Sequence, residues 1–159
     1  MSEPMDVPPP AQVFGLITGM WAAQAAATCA SLGIPDVLAH GPKTAEEVAK
    51  ALSLHSGATY RLLRGVASVG VLRKTEDGRF ALTPVGELLR KGVPGSMRSL
   101  LIAEMAPGHW LPWADLAHSV RTGEPAVPKT LGMDAWSYYR AHPEEERFFS
   151  EGMTGISAM

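Results

Sequence analysis

Between Val13 and Pro35 the chain carries no charged side chain. A helix built from that run is apolar on nearly every side, so it must be covered by something. A bilayer is one possible cover for a span of this length. The composition argues against it. Most of the apolar content is alanine, which partitions weakly, and Thr18, Gln24, Thr28 and Ser31 interrupt it. Gly15, Gly19, Ala23 and Ala27 recur every fourth residue and make a ridge of small side chains. Such a ridge admits a second helix at close range. A chain of 159 residues has few elements with which to surround the rod. A second copy is the expected cover, with Gly15, Gly19, Trp21, Ala23 and Ala27 at a dimer interface.

Composition narrows the partners. Fourteen Lys/Arg stand against sixteen Asp/Glu, a net charge of −2, which disfavours a polyanion. A single cysteine, Cys29, rules out a disulfide within the chain and a cysteine-based zinc site, and fits a reducing cytoplasm. Met1–Pro10 lacks the basic region of a signal peptide and reads as a loose arm, extending to residue 12.

The stretch 44–90 has the pattern of a winged helix. Thr44 and Glu47 have capping-box spacing, and Ala45, Val48, Ala49 and Leu52 share one face of the helix they open. Ser53 or Ser56 caps a second helix over about 57–69, which Gly70 ends. Asp77-Gly78 is a hairpin signal between Val71–Lys74 and Arg79–Leu82. Thr83-Pro84 starts a helix to about Arg90. A DNA reader would face the groove with Arg61 and Arg64 and place Arg73, Lys74 and Arg79 on the wing. Seven Lys/Arg and five Asp/Glu over 44–90 leave only +2, a thin footprint for that role.

The rest reads as helical. A short helix spans about 36–39, and helices follow over about 97–105, 110–121, 135–141 and 144–159. A Pro/Gly-rich loop is expected over 122–130. The fold class is mainly α: a winged helix-turn-helix with extra N- and C-terminal helices, in an intertwined dimer.

Motifs that carry chemistry are sparse. No Gly-x-Gly-x-x-Gly, P-loop, His-Glu-x-x-His or Gly-x-Ser-x-Gly occurs. The five histidines are scattered without a metal partner at helical spacing and read as surface or turn residues. Met105, His109, Trp110 and Trp113 crowd one corner, and Phe148, Phe149 and Met153 share the last helix. Such residues build cores, and they also build walls for flat ligands.

Several runs then resemble one family. They are Gly19-Met20-Trp21-Ala22-Ala23-Gln24-Ala25, Leu32-Gly33-Ile34-Pro35-Asp36-Val37-Leu38, Tyr60-Arg61-Leu62-Leu63-Arg64, Asp77-Gly78-Arg79-Phe80 and Leu82-Thr83-Pro84-Val85-Gly86-Glu87-Leu88-Leu89. Thr44–Ala49, Arg121–Pro125 and His142–Glu144 continue the pattern over nearly the whole chain. It resembles the bacterial small-molecule O-methyltransferases, polyketide-tailoring and plant caffeate-type. The resemblance implies an N-terminal dimerisation domain over 13–159, a winged helix that does not bind DNA. It implies a Rossmann-like catalytic domain after about Met159, carrying the S-adenosylmethionine site and a histidine base. No catalytic residue, cofactor or metal is therefore expected in this chain, and alone it should not methylate. Phe149 and Met153 would line the acceptor pocket, with Trp21, Met105 and Trp110 as further candidates. The partners implied are a second copy and a small aromatic acceptor, with no nucleic acid and no membrane. A winged-helix regulator, or a stand-alone dimeric ligand binder or non-methylating paralogue, are the rival readings.

Overall fold

The structure, a computed structural model, describes residues 7–157. Its first helix, α1, runs Pro9–Ser31. Pro9 and Pro10 occupy its first two positions, where the absent N–H would have had no partner. The arm expected over 1–12 is thus already helical from Pro9, and Met1–Asp6 lie outside the described residues. Among the described helices, α1 is the one long and apolar enough to cross a bilayer. Its two ends have different surroundings. Ala26, Ala27, Cys29 and Ala30 are buried, whereas Phe14 is 62% and Leu16 82% exposed. Burial pushes the Cys29 thiol up to about 12, so it stays protonated and unreactive.

The core is built under that buried end. The chain leaves α1 at Gly33 and enters α2, Ile34–Leu38, which starts two residues before the expected Asp36. Ile34, Val48, Leu63, Val66, Leu72 and Phe80 are fully buried against Cys29 and Ala30. α3, Ala45–Leu52, has the capping box expected of it: Thr44 Oγ1 accepts the Glu47 N–H at 3.2 Å, and Glu47 Oε2 accepts the Thr44 N–H at 2.7 Å. α4, Ser56–Ser68, is capped by neither expected serine. His55 Nδ1 accepts the Ala58 N–H at 3.3 Å, and Ser53 instead adopts a left-handed conformation at the end of α3.

β1, Leu72–Lys74, and β2, Phe80–Leu82, pair antiparallel with Arg73 opposite Ala81. Gly78, at φ +84°, supplies the turn conformation the ribbon requires. Lys43 exchanges backbone hydrogen bonds with Phe80, which seats the ribbon against the entry to α3. α5, Pro84–Glu87, is shorter than expected, with Thr83 Oγ1 accepting the Gly86 N–H.

The second half is a set of short helices. α6 spans Arg98–Glu104, α7 Pro107–Ala114, α8 Leu116–Thr122, α9 Ala126–Leu131, α10 Ala135–Ala141 and α11 Pro143–Ser157. The single helix expected over 110–121 is two. Pro112 removes a ladder bond inside α7, and at Asp115 the chain restarts, its N–H turned back to the Pro112 and Trp113 carbonyls. The expected loop 122–130 contains α9. Pro128 stands at its third position, where an intrahelical N–H bond is not yet due, so the proline does not prevent the helix. α6 and α11 cross closely at Gly152, where a Cβ would stand 2.8 Å from Leu100 Cα. Arg98 ties α6 back to α1 through Nε and the Ala30 carbonyl, 3.1 Å apart.

Candidate functional site

An aromatic cluster joins α7, α10 and α11. Asp134 caps α10 and accepts from the Ser137 amide at 3.0 Å and hydroxyl at 2.6 Å. Those bonds hold its carboxyl below the usual range, the hydroxyl contributing most. So anchored, α10 turns Tyr138 and Tyr139 inward, and both are buried. The Tyr139 ring lies parallel to Phe149 of α11, with centroids 5.0 Å apart. His109 of α7 meets the edge of Phe149 at 5.4 Å, and its Nε2 lies 3.3 Å from the Tyr139 hydroxyl. His109 Nδ1 is 3.4 Å from Glu104 Oε1 but out of line for a hydrogen bond, so this buried nitrogen has no hydrogen-bond partner among the described residues.

Glu145 clamps the other side of the cluster. Its Oε1 accepts the Tyr138 hydroxyl at 3.0 Å and its Oε2 accepts the Gly108 N–H at 2.9 Å. Burial, and then the bond to Glu145, push the Tyr138 phenol up to about 12. Burial and the charges of Glu145 and Glu104 raise Tyr139 as well. Beside the cluster, Trp136, Tyr139, Arg140, Glu146, Phe149 and Ser150 enclose a slot of about 180 Å³.

The residues singled out in the sequence divide. Phe149 is half-buried at the centre of the cluster. Met153 is one turn further along α11 and 44% exposed. Met105 closes α6 and Trp110 lies on α7, both half-buried. Trp21 is 58% exposed and lines a separate groove of about 300 Å³ with Ala25, Gly65 and Val69. Gly15 and Gly19 face open space, and Ala23 is half-buried. Ala27 is 4% exposed and packs beneath its own chain. Tyr138, Tyr139 and Glu145 escaped the sequence reading, and His109 is a cluster member rather than a surface or turn residue. Their contacts run between helices, and no local spacing announces them. Arg64 and Lys74 both lie over the Tyr60 ring, at 5.7 and 5.6 Å, so part of the basic side of α4 is already engaged. Among the described residues no group of three or more His, Cys, Asp or Glu could hold a metal.

Comparison with known proteins places this geometry. The O-methyltransferase dimerisation domain matches residues 14–92. Over 142 residues the chain is 40% identical to phenazine O-methyltransferase PhzM of Lysobacter antibioticus, covering 89% of this chain and 41% of that protein. The crystal structure of LaPhzM superposes with a TM-score of 0.88 at 39% identity, over 95% of this chain and 45% of that one. NcsB1, an O-methyltransferase from neocarzinostatin biosynthesis solved with S-adenosylmethionine and 2-hydroxy-5-methyl naphthoic acid, gives a TM-score of 0.69 at 31% identity, over 84% of this chain and 42% of that one. The chain spans about two fifths of the length of the curated relatives it matches. A mainly helical fold, a rod with one uncovered apolar end and this alignment agree: the chain belongs to the O-methyltransferase dimerisation-domain family.

Proposed function

We propose that this chain is the dimerising and acceptor-lining part of an S-adenosylmethionine-dependent O-methyltransferase for an aromatic or polyketide-type hydroxyl, working in the cytoplasm. α3, α4 and the β1–β2 ribbon form a winged helix given over to assembly rather than to DNA. The observation that carries this reading is the amino-terminal half of α1. Val13, Phe14, Leu16, Ile17, Met20 and Trp21 are all exposed on a helix whose other end is core. A contiguous apolar surface of that kind marks a partner site. In this reading a second copy covers it, the two copies intertwine through α1, and Gly15 and Gly19 form the close contact. The covered face also accounts for the length and apolarity of α1 without a membrane.

These residues do not fit the methyl donor. β1 and β2 are the strands among the described residues, and β2 passes to α5 through Thr83 alone, with no glycine-rich loop to cradle a nucleoside. What this chain contributes is a wall. Phe149 and Met153 on α11, with Met105 and Trp110 as further candidates and Trp21 on its separate groove, would present apolar surface to a flat acceptor, exclude water and fix the direction of its hydroxyl.

Gly19→Leu tests the assembly. A Cβ at Gly19 stands in open space, with no atom of another element within 4 Å, so its own chain leaves room for a leucine that would block a neighbouring helix. Sedimentation should give about twice the 16.9 kDa chain mass for the parent and a single chain mass for the variant. An unchanged mass refutes the interface. In a full-length relative, replacing the residues aligned with Phe149 and Met153 by alanine should raise the acceptor Kd about tenfold or more and leave donor binding alone. Equal effects on both constants would remove the wall assignment.

A further inference from the structure

We propose that the cavity between the 91–96 loop, α6 and the last turns of α11 binds a small phosphate monoester that also carries hydroxyl groups, the chemistry of a sugar phosphate. It shares no lining residue with the slot beside Phe149, so it stands apart from the acceptor wall. The loop that forms one side of it is tied at both ends. The Lys91 N–H donates to Asp36 Oδ1 at 2.9 Å, and Ser96 Oγ donates to the Arg90 carbonyl at 2.7 Å and accepts the Arg98 N–H at 3.3 Å. Gly92 and Gly95, both left-handed, curl the chain between those ties. α11 forms another side, drawn in by the Gly152 contact, and Gly155 adds no side chain to fill the space. The cavity measures about 330 Å³, and ligand pockets begin at about 300 Å³.

Its polar side chains divide into donors and acceptors. Lys91 and Arg98 are the donors, and neither forms an ion pair among the described residues. Two contacts hold Arg98 in place: Nε donates to the Ala30 carbonyl at 3.1 Å, and the guanidinium lies 5.5 Å over the Phe148 ring. Its two Nη groups meet no acceptor among the described residues, which leaves a planar fork of donors uncommitted. Ser99 and Thr154 have already given their protons, to Glu151 Oε2 at 2.6 Å and to the Ser150 carbonyl at 2.9 Å, so their oxygens are left to accept. Glu151 is the one acid in the lining, and Arg147 meets its other oxygen at 3.0 Å. Those bonds, Ser99's first, and the charges of Arg147 and Arg98 hold its carboxyl below the usual range, so it too only accepts. A phosphate monoester carries about −1.5 to −2 at neutral pH, which matches an ammonium and a guanidinium together. A carboxylate brings a single charge. Hydroxyls on the ligand body then donate to Ser99, Thr154 and Glu151.

Calorimetric titration of the full chain with glucose 6-phosphate, inorganic phosphate, glucuronate and glucose tests this. Glucose 6-phosphate should bind about tenfold more tightly than inorganic phosphate or glucuronate, and glucose should give no heat. Lys91→Gln should weaken glucose 6-phosphate about tenfold. The Lys91 residue is held through its backbone N–H, so this change spares the fold, and a urea midpoint equal to the parent's checks that. Thr154→Val should weaken glucose 6-phosphate and leave inorganic phosphate unchanged, which isolates the contact to a ligand hydroxyl. Inorganic phosphate or glucuronate bound as tightly as glucose 6-phosphate overturns the ligand class. No heat from either phosphate, or an unchanged Kd in Lys91→Gln, overturns the cavity as the site.

Discussion

Gly152→Ala lowers the stability of the chain by about 2 kcal/mol, read as a fall of about 1 M in the urea midpoint. In isolation the change should help, because alanine favours a helix over glycine by about 1 kcal/mol. Here a Cβ would stand 2.8 Å from Leu100 Cα and 2.9 Å from Leu100 N. Those are backbone atoms of α6, which cannot turn aside as a side-chain tip can. The helices must separate, and with them go the Ser99–Glu151 hydrogen bond of 2.6 Å and the seat of Phe148 beneath Arg98 and Arg147. Gly155→Ala is the matched control. Its Cβ would meet Ser96 O at 3.6 Å, an ordinary contact, so the helical preference should dominate and the midpoint hold or rise. A Gly152→Ala midpoint equal to that control would show that α6 and α11 are not closely packed.

Glu145→Gln should cost about 1.5–3 kcal/mol and change how the chain responds to alkali. Glu145 accepts two hydrogen bonds, from the Tyr138 hydroxyl and the Gly108 N–H. A glutamine offers one carbonyl oxygen for the two donors and points an NH₂ at the other. In the parent, the Tyr138 proton is held to about 12, against 10.0 for a free phenol. A group whose folded value is raised stabilises the fold below its unfolded value. That contribution is present up to about pH 10 and is lost as pH climbs towards 12. Removing the neighbouring carboxylate leaves burial as the main cause, so Tyr138 should ionise at lower pH. Absorbance at 295 nm would show the earlier onset. A tyrosinate curve identical to the parent's would mean that Glu145 does not touch Tyr138 in solution.

Much of the first half was legible because its signals are local. Thr44 and Glu47 carry their capping box within four residues, and Asp77-Gly78 states its turn in two. The signal failed where a residue acted outside its usual part. His55 caps α4 through a ring nitrogen, and Pro128 sits early enough in α9 to be harmless. The small-residue ridge was visible as a spacing, but spacing could not tell which end the core would claim, and Ala27 went inside. The site was half legible for a related reason. Phe149 announces itself by size and position. Tyr139, His109 and Glu145 matter only because three helices converge, at sequence separations of 10 to 40 residues.

Arg79 has a consequence for how such a domain can move. Its guanidinium reaches Glu47 at 2.9 Å and Asp77 at 3.2 Å, so it fastens the tip of the ribbon to the first turn of α3. The same Glu47 closes that helix's cap, and Lys43 laces into Phe80 just below. The ribbon is therefore no free finger able to swing toward a ligand. It and α3 form one plate, and any change of shape within the chain falls to the short, separately jointed helices from α7 onward.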